Sequence, residues 1–178
     1  SEVLLSRLEE LAEGIDKPCR FLVAMSGGID STVLLHALTK CVERSQTPIL
    51  AIHINHGLHN DATVWEEHCR TMAANLNVSF VSESVEINLE SGLGLEATAR
   101  QVRYDAFHKY VEEGDWLLSA HHENDQAETL FLNLMRGSGF AGIAGIGALQ
   151  NFAYGMLVRP LLDISGSAIE AYAEQNKL

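Results

Sequence analysis

Phe21-Leu22-Val23-Ala24-Met25-Ser26-Gly27-Gly28-Ile29-Asp30-Ser31-Thr32-Val33-Leu34-Leu35-His36 is the stretch on which the reading of the fold turns. An apolar run stops at Ser26, two glycines follow, and an apolar-periodic segment starts at Ile29, so the order is strand, tight turn, helix. Glycines at the turn allow positive φ and carry no β carbon, which lets backbone N–H groups close on an anion. The free N–H groups and dipole of the new helix favour negative charge at the same place. Ser26, Ser31 and Thr32 add hydroxyl donors, so the stretch reads as a nucleotide-phosphate loop.

A Walker-type loop would bring a lysine to the β/γ-phosphates through G-x-x-x-x-G-K-[ST]. Here the first lysine after the glycines is Lys40. Asp30 would repel a bare phosphate, so it either caps the helix or faces the nucleotide across a Mg²⁺ ion. With Ser26, Gly27, Gly28, Asp30 and Ser31 matching S-G-G-x-D-S and Ile29 at the open position, the chain resembles the PP-loop ATP pyrophosphatases. The resemblance implies cleavage of ATP between the α- and β-phosphates with release of pyrophosphate.

Outward from this stretch, strands and helices alternate. Leu4, Leu5, Leu8, Leu11 and Ala12 recur at helical spacing and predict an amphipathic helix ending near Gly14. Ile49 to Asn55 reads as a buried parallel strand running into His56-Gly57-Leu58-His59. A helix over 61–77 is expected to bury Val64, Trp65, His68, Cys69 and Met72, and a strand over 78–85 to follow it. A helix from Leu95 to about Glu112 carries Glu96, Arg100 and Arg103 at i, i+4 and i+7, either as a solvated ion pair or with the carboxylate orienting Arg100 and leaving Arg103 free. Trp116 to Ala120 is a short strand ending in His121-His122-Glu123-Asn124-Asp125-Gln126-Ala127-Glu128, whose Asp125 and Glu128 suit the cap of the next helix as well as a site. Gly137, Gly139 and Gly142 match G-x-G-x-x-G, but a helix rather than a strand precedes them, so the segment is a connector or a loop reaching over a substrate. Gly155 to Leu162 reads as a strand into a proline turn, and Ser165 to Lys177 as a final helix with Ile169, Tyr172 and Ala173 inward. The expected fold is one α/β domain over 1–178, a doubly wound, mainly parallel open sheet with helices on both faces.

The polar clusters 26–31, 53–59 and 121–128 all follow strand ends, where ligands bind in open α/β sheets. His53, Asn55, His56 and His59 lack a carboxylate or thiolate at fixed ligand spacing, which favours nucleotide contact or loop hydrogen bonding over zinc. H-E-x-x-H fails because Gln126 stands where the second histidine would be. Cys19, Cys41 and Cys69 form no C-x-x-C, so the composition predicts reducing cytoplasm, and no apolar run reaches the ~18 residues of a membrane span. With 24 acidic against 12 basic residues, the net charge of −12 argues against a large basic footprint for nucleic acid.

The H-x-x-H-G-L segment at His53, His56, Gly57 and Leu58, the helix with Glu96, Arg100, Arg103 and Tyr104, and A-H-H-x-x-D-x-x-E-T followed by R-G-S-G resemble the tRNA(Ile)-lysidine synthetase family. That resemblance implies attack of the wobble-cytidine C2 oxygen on the α-phosphate of ATP, then displacement of AMP by the ε-amine of free lysine. It implies that Ser26, Gly27, Gly28, Ile29, Asp30, Ser31, His53 and Asn55 bind ATP and that Asp30 and Asp125 hold Mg²⁺. Arg103 would stabilise the α-phosphate, Asp125 or His122 would accept the amine proton, and Arg100, Arg103, Arg136, Gly137, Ser138 and Gly139 would contact an isoleucine tRNA. The expected chain is then an amino-terminal portion of a longer enzyme that supplies the basic surface, with a homodimer left open. Thiolating or amidating PP-loop enzymes and a nucleotide-binding regulatory module are the alternatives; the thiolating enzymes typically carry paired cysteines.

Overall fold

The apolar runs become strands in the computed structural model, which describes residues 2–11, 16–42, 46–57, 61–86, 94–135 and 145–178. The strands are β1 (Arg20–Met25), β2 (Ile49–Asn55), β3 (Ser79–Ser84), β4 (Asp115–Leu118), β5 (Leu149–Phe152) and β6 (Gly155–Val158). The helices are α1 (Glu2–Leu11), α2 (Ile29–Val42), α3 (Ala62–Asn75), α4 (Leu95–His108), α5 (Glu123–Met135) and α6 (Gly166–Asn176). One sheet has the order β3-β2-β1-β4-β6-β5. All pairs are parallel except β5 with β6.

Alternation along the strands divides the core into two layers. Phe21, Val23 and Met25 of β1 pack with Leu34, Leu35 and Leu38 of α2, Cys69 and Ala73 of α3, and Ile169 and Ala173 of α6. Leu22, on the other face, packs with Ile52, Leu117, Leu157 and Ala106 and Phe107 of α4. Leu22, Leu34, Leu38, Ile52 and Leu117 are fully buried, each contributing roughly 1.5–3 kcal/mol by transfer from water. The register pairs Met25 with His53, Val23 with Leu118, and Leu118 with Val158. It therefore brings Ser26, Asn55, Ser119 and Arg159 to one carboxyl edge of the sheet. At the opposite edge Arg20 and buried Asp115 form an ion pair at 2.5 Å, and these two residues are also register partners of β1 and β4.

Three expectations change. Val64 and Trp65 are 65% and 41% exposed and His68 is exposed as well, while Cys69 is buried as expected, Met72 is half-buried and Ala73 completes the inward side of α3. The first turn of α3 overhangs the crevice and the glycine turn rather than the sheet. The helix expected to run to Glu112 ends at His108. β5 was not foreseen; its hairpin turns through Ala153 at φ +50 rather than through a glycine or asparagine. No helix among the described residues is long and apolar enough to cross a membrane.

Candidate active site

The glycine turn is held by its own side chains. Gly27 adopts φ +88, which strains any side chain, and a β carbon there would also crowd Trp65 Cβ at 3.3 Å. The Gly28 carbonyl accepts from Ser31 Oγ at 3.0 Å, Thr32 Oγ1 at 3.1 Å and Thr32 N–H at 3.2 Å. Ser26 N–H donates to Ser31 Oγ, and Gly28 N–H to Ser26 Oγ, both at 3.2 Å. The hydroxyls of Ser31 and Thr32, expected from the sequence to face an anion, thus point back into the turn, and both residues are buried. They pre-form the loop at the start of α2, with Asp30 in its first turn.

The β2 end builds the second wall. His53 is buried, its Nδ1 hydrogen-bonds the Met25 carbonyl at 2.9 Å, and Cys69 Sγ lies 3.6 Å from the same nitrogen. Burial pushes the Cys69 thiol up to about 11. Asn55 spends both ends of its amide on the wall. Oδ1 accepts from Gly57 N–H at 2.9 Å and Nδ2 donates to Glu66 at 3.2 Å, so its side chain shapes the turn at Gly57. That bond, ahead of the others, holds the Glu66 carboxyl below its usual pKa. His56 Nδ1 is buried without a hydrogen-bond partner among the described residues. Desolvation, followed by Arg103 and His53, lowers its pKa.

The third wall comes from β4 and the start of α5. His122 sits at the helix entrance, where its Nδ1 accepts from Asn124 N–H at 3.3 Å and its own N–H donates to Asp125 Oδ2 at 2.8 Å. The Asp125 bond is the reciprocal half of a capping box with His122 at the cap, one turn earlier than the expected pairing of Asp125 with Glu128. With Nδ1 accepting, the neutral ring carries its proton on Nε2, which lies 3.6 Å from Asp125 and 3.9 Å from Asp30. One imidazole therefore faces both carboxylates. Among the described residues Asp30 caps no helix N–H. Beside them His121 Nδ1 is 2.9 Å from Ser119 Oγ. Burial, then the Arg159 charge, pushes the His121 pKa down to about 4, with Asp125 opposing and Arg100 and Arg103 reinforcing.

These walls enclose a crevice of about 390 Å³ lined by Ser26, Asp30, Ser31, His53, Asn55, His56, Trp65, Arg103, His121 and Asp125, among others, a volume within the range of small-molecule sites. Arg103 has no carboxylate within 4.0 Å among the described residues, and desolvation lowers its pKa. Among the described residues, a cation with no carboxylate partner and a histidine nitrogen with no hydrogen-bond partner lie on the crevice wall, an arrangement that suits a phosphate. Gly27, Gly28 and Ile29 complete the loop. Arg100 stands apart, its guanidinium 5.3 Å over the Tyr104 ring. Arg136, Gly137, Ser138 and Gly139 lie outside the described residues, as does the Glu96 side chain. Among the described residues no three His, Cys, Asp or Glu groups are placed to hold a metal by themselves. Asp30 with Asp125 fits Mg²⁺, which is commonly held by one or two carboxylates plus phosphate oxygens. His121 and Trp65 were missed as crevice residues. His121 was nonetheless signalled, since it is the first residue of the polar run after β4.

Residues 2–178 match the PP-loop domain family. This chain is a member of the PP-loop family. It is 46% identical over 158 residues to the tRNA(Ile)-lysidine synthase of Alkalilimnicola ehrlichii, covering 89% of the chain and 36% of that protein. It is 43% identical over 173 residues to that of Proteus mirabilis, covering 96% and 39%. The chain thus spans under two-fifths of the length of these curated relatives. Among solved structures, the U34-tRNA thiolase from Methanococcus maripaludis superposes with a TM-score of 0.75 at 17% identity, covering 99% of this chain and 64% of that one. NMN synthetase from Francisella tularensis gives 0.66 at 13%, covering 99% and 70%. At such identities the two structures speak to the fold alone. The family uses ATP, which agrees with a pre-formed glycine loop opening into a crevice lined by Arg103, Asp30 and Asp125.

Proposed function

We propose that the chain is the ATP-activating, amino-terminal domain of a longer cytoplasmic enzyme that ligates free lysine to C2 of the wobble cytidine of an isoleucine tRNA. The observation that carries this is the 42–46% identity to tRNA(Ile)-lysidine synthases across 88–99% of the chain. The crevice chemistry supports it. Ser26 to Ser31 would bind the β- and γ-phosphates, which leave as pyrophosphate when the cytidine C2 oxygen bonds to the α-phosphorus. Asp30 and Asp125 would hold Mg²⁺, which offsets charge on the phosphate oxygens when bound. Arg103 would stabilise charge developing at the α-phosphate. The lysine ε-amine then bonds to C2, the C2–O bond breaks, AMP leaves with the oxygen, and the ammonium proton passes to a base. The His122 Nδ1 lone pair is used by Asn124 N–H and Nε2 bears the proton, so Asp125 is the better acceptor and His122 a donor to it.

The test follows labelled lysine into isoleucine tRNA with the full-length protein, scoring pyrophosphate and AMP. Lysine-dependent release of one pyrophosphate and one AMP per lysine is expected. Turnover indifferent to lysine would assign another PP-loop reaction, and binding of ATP without turnover would assign a regulatory module.

A further inference from the structure

The first turn of α5 faces two ways. Asp125 lines the crevice with His122 beside it, while the next residue, Gln126, addresses a stretch of backbone. Its amide engages one residue at both ends: Oε1 accepts from Ile146 N–H at 2.5 Å and Nε2 donates to the Ile146 carbonyl at 2.9 Å. Gly145 precedes at φ +62, and a β carbon there would lie 2.6 Å from Gln126 Oε1 and 3.2 Å from Nε2. Glycine is required at 145 both for its backbone angle and for room beneath the amide.

The next two carbonyls go to Arg159: Gly147 accepts from Nη1 at 2.6 Å and Ala148 from the Arg159 N–H at 2.8 Å. Residues 145–148 belong to no helix or strand, so Gln126 and Arg159 supply partners that secondary structure does not. Arg159 is itself 3% exposed, its Nε lacks a partner, and no carboxylate lies within 4.0 Å among the described residues. The guanidinium is met by the Gly147 carbonyl and, at 3.4 Å, by Gln150 Oε1, so its burial depends on those dipoles being held in place. Its charge reaches His121, a crevice-lining ring.

We propose that Gln126 is a positioning residue for the reaction. By clamping Ile146 against α5 it fixes the carbonyls that hold Arg159 behind His121, and so sets the β4–β6 side of the crevice. The inference rests on the adenylating function proposed above. Neither Gln126 nor Ile146 lines the crevice at the phosphate loop, so the clamp governs turnover rather than ATP affinity.

Gln126→Leu deletes both bonds while retaining a strong helix former. Gly145→Ala breaks the same clamp from the other side. In the full-length protein, each should lower kcat for pyrophosphate release by about tenfold or more while leaving ATP affinity within about twofold. Hydrogen exchange of the Ile146 amide should rise roughly tenfold or more, with β1 amides unchanged. As members of one unit, the two substitutions together should cost no more than the worse of them alone. The clamp is overturned if Ile146 exchange is unchanged in Gln126→Leu, if kcat stays within twofold when exchange has risen, or if the two effects add. Exchange and ATP affinity need no second substrate, so the clamp is judged separately from the choice of lysine as acceptor.

Discussion

His121 is where single-residue physics has the clearest measurable consequence. In an unfolded chain its imidazole titrates near 6.5; in the fold, burial and the Arg159 charge push it to about 4. Between these values the unfolded chain binds the additional proton, so stability falls as pH drops from about 6.5 towards 4, by at most about 3 kcal/mol from this residue. Urea midpoints of wild type and His121→Gln at pH 7 and pH 5 measure the effect, and the variant should lose markedly less stability on acidification. Equal losses would mean that His121 is not held neutral. The sequence placed this ring next to a strand end but not against buried Arg159, which lies 38 residues further along the chain. Arg159 reads from the sequence as a cation near the crevice that could meet a phosphate; its burial, 3% exposed, is what the sequence does not show. Asn55 and Ser31 show the converse: beside the ATP contact expected of both, their side chains hold the turns that shape the crevice, a role the sequence did not show.

At the scale of elements, α5 combines a structural and a chemical demand on one carboxylate. Asp125 accepts the His122 N–H that closes the capping box and also faces the crevice. Asn offers the same acceptor and caps about as well, so Asp125→Asn should keep the melting temperature while lowering turnover of the full-length enzyme by at least ~10²-fold if the charge serves metal or proton transfer. Near-normal turnover at saturating Mg²⁺ would leave Asp125 a cap. The helices and parallel strands were legible because periodicity marks elements that bury one or both faces. β5 was not, since Leu149–Phe152 is an edge strand with Gln150 and Asn151 exposed and a turn without the usual hairpin residues. The outward turn of α3 was missed for a related reason: Val64 and Trp65 are apolar, but Trp65 lies against the glycine turn and the crevice and Val64 is exposed.

Across the whole molecule, the sheet order collects residues from distant parts of the chain at one carboxyl edge, and that convergence was readable from three polar runs, each following a strand. The charge distribution was not. Arg7, Arg20, Arg70 and Lys109 pair with acidic residues, whereas among the described residues Arg103 and Arg159 have no carboxylate within 4.0 Å and bear on the crevice. A net charge of −12 therefore coexists with one arginine on the crevice wall among the described residues, enough to meet a single phosphate but not the backbone of a tRNA body. The central claim is that the glycine turn receives the phosphates of ATP. Gly28 allows a direct test, because a β carbon there meets only Ser26 Oγ at 3.4 Å, leaving the fold intact while intruding on the anion seat. Calorimetric titration of ATP with Mg²⁺ into wild type and Gly28→Ala should show binding weakened about tenfold or more at an unchanged melting temperature. Equal affinity in the two proteins would contradict the assignment of the loop.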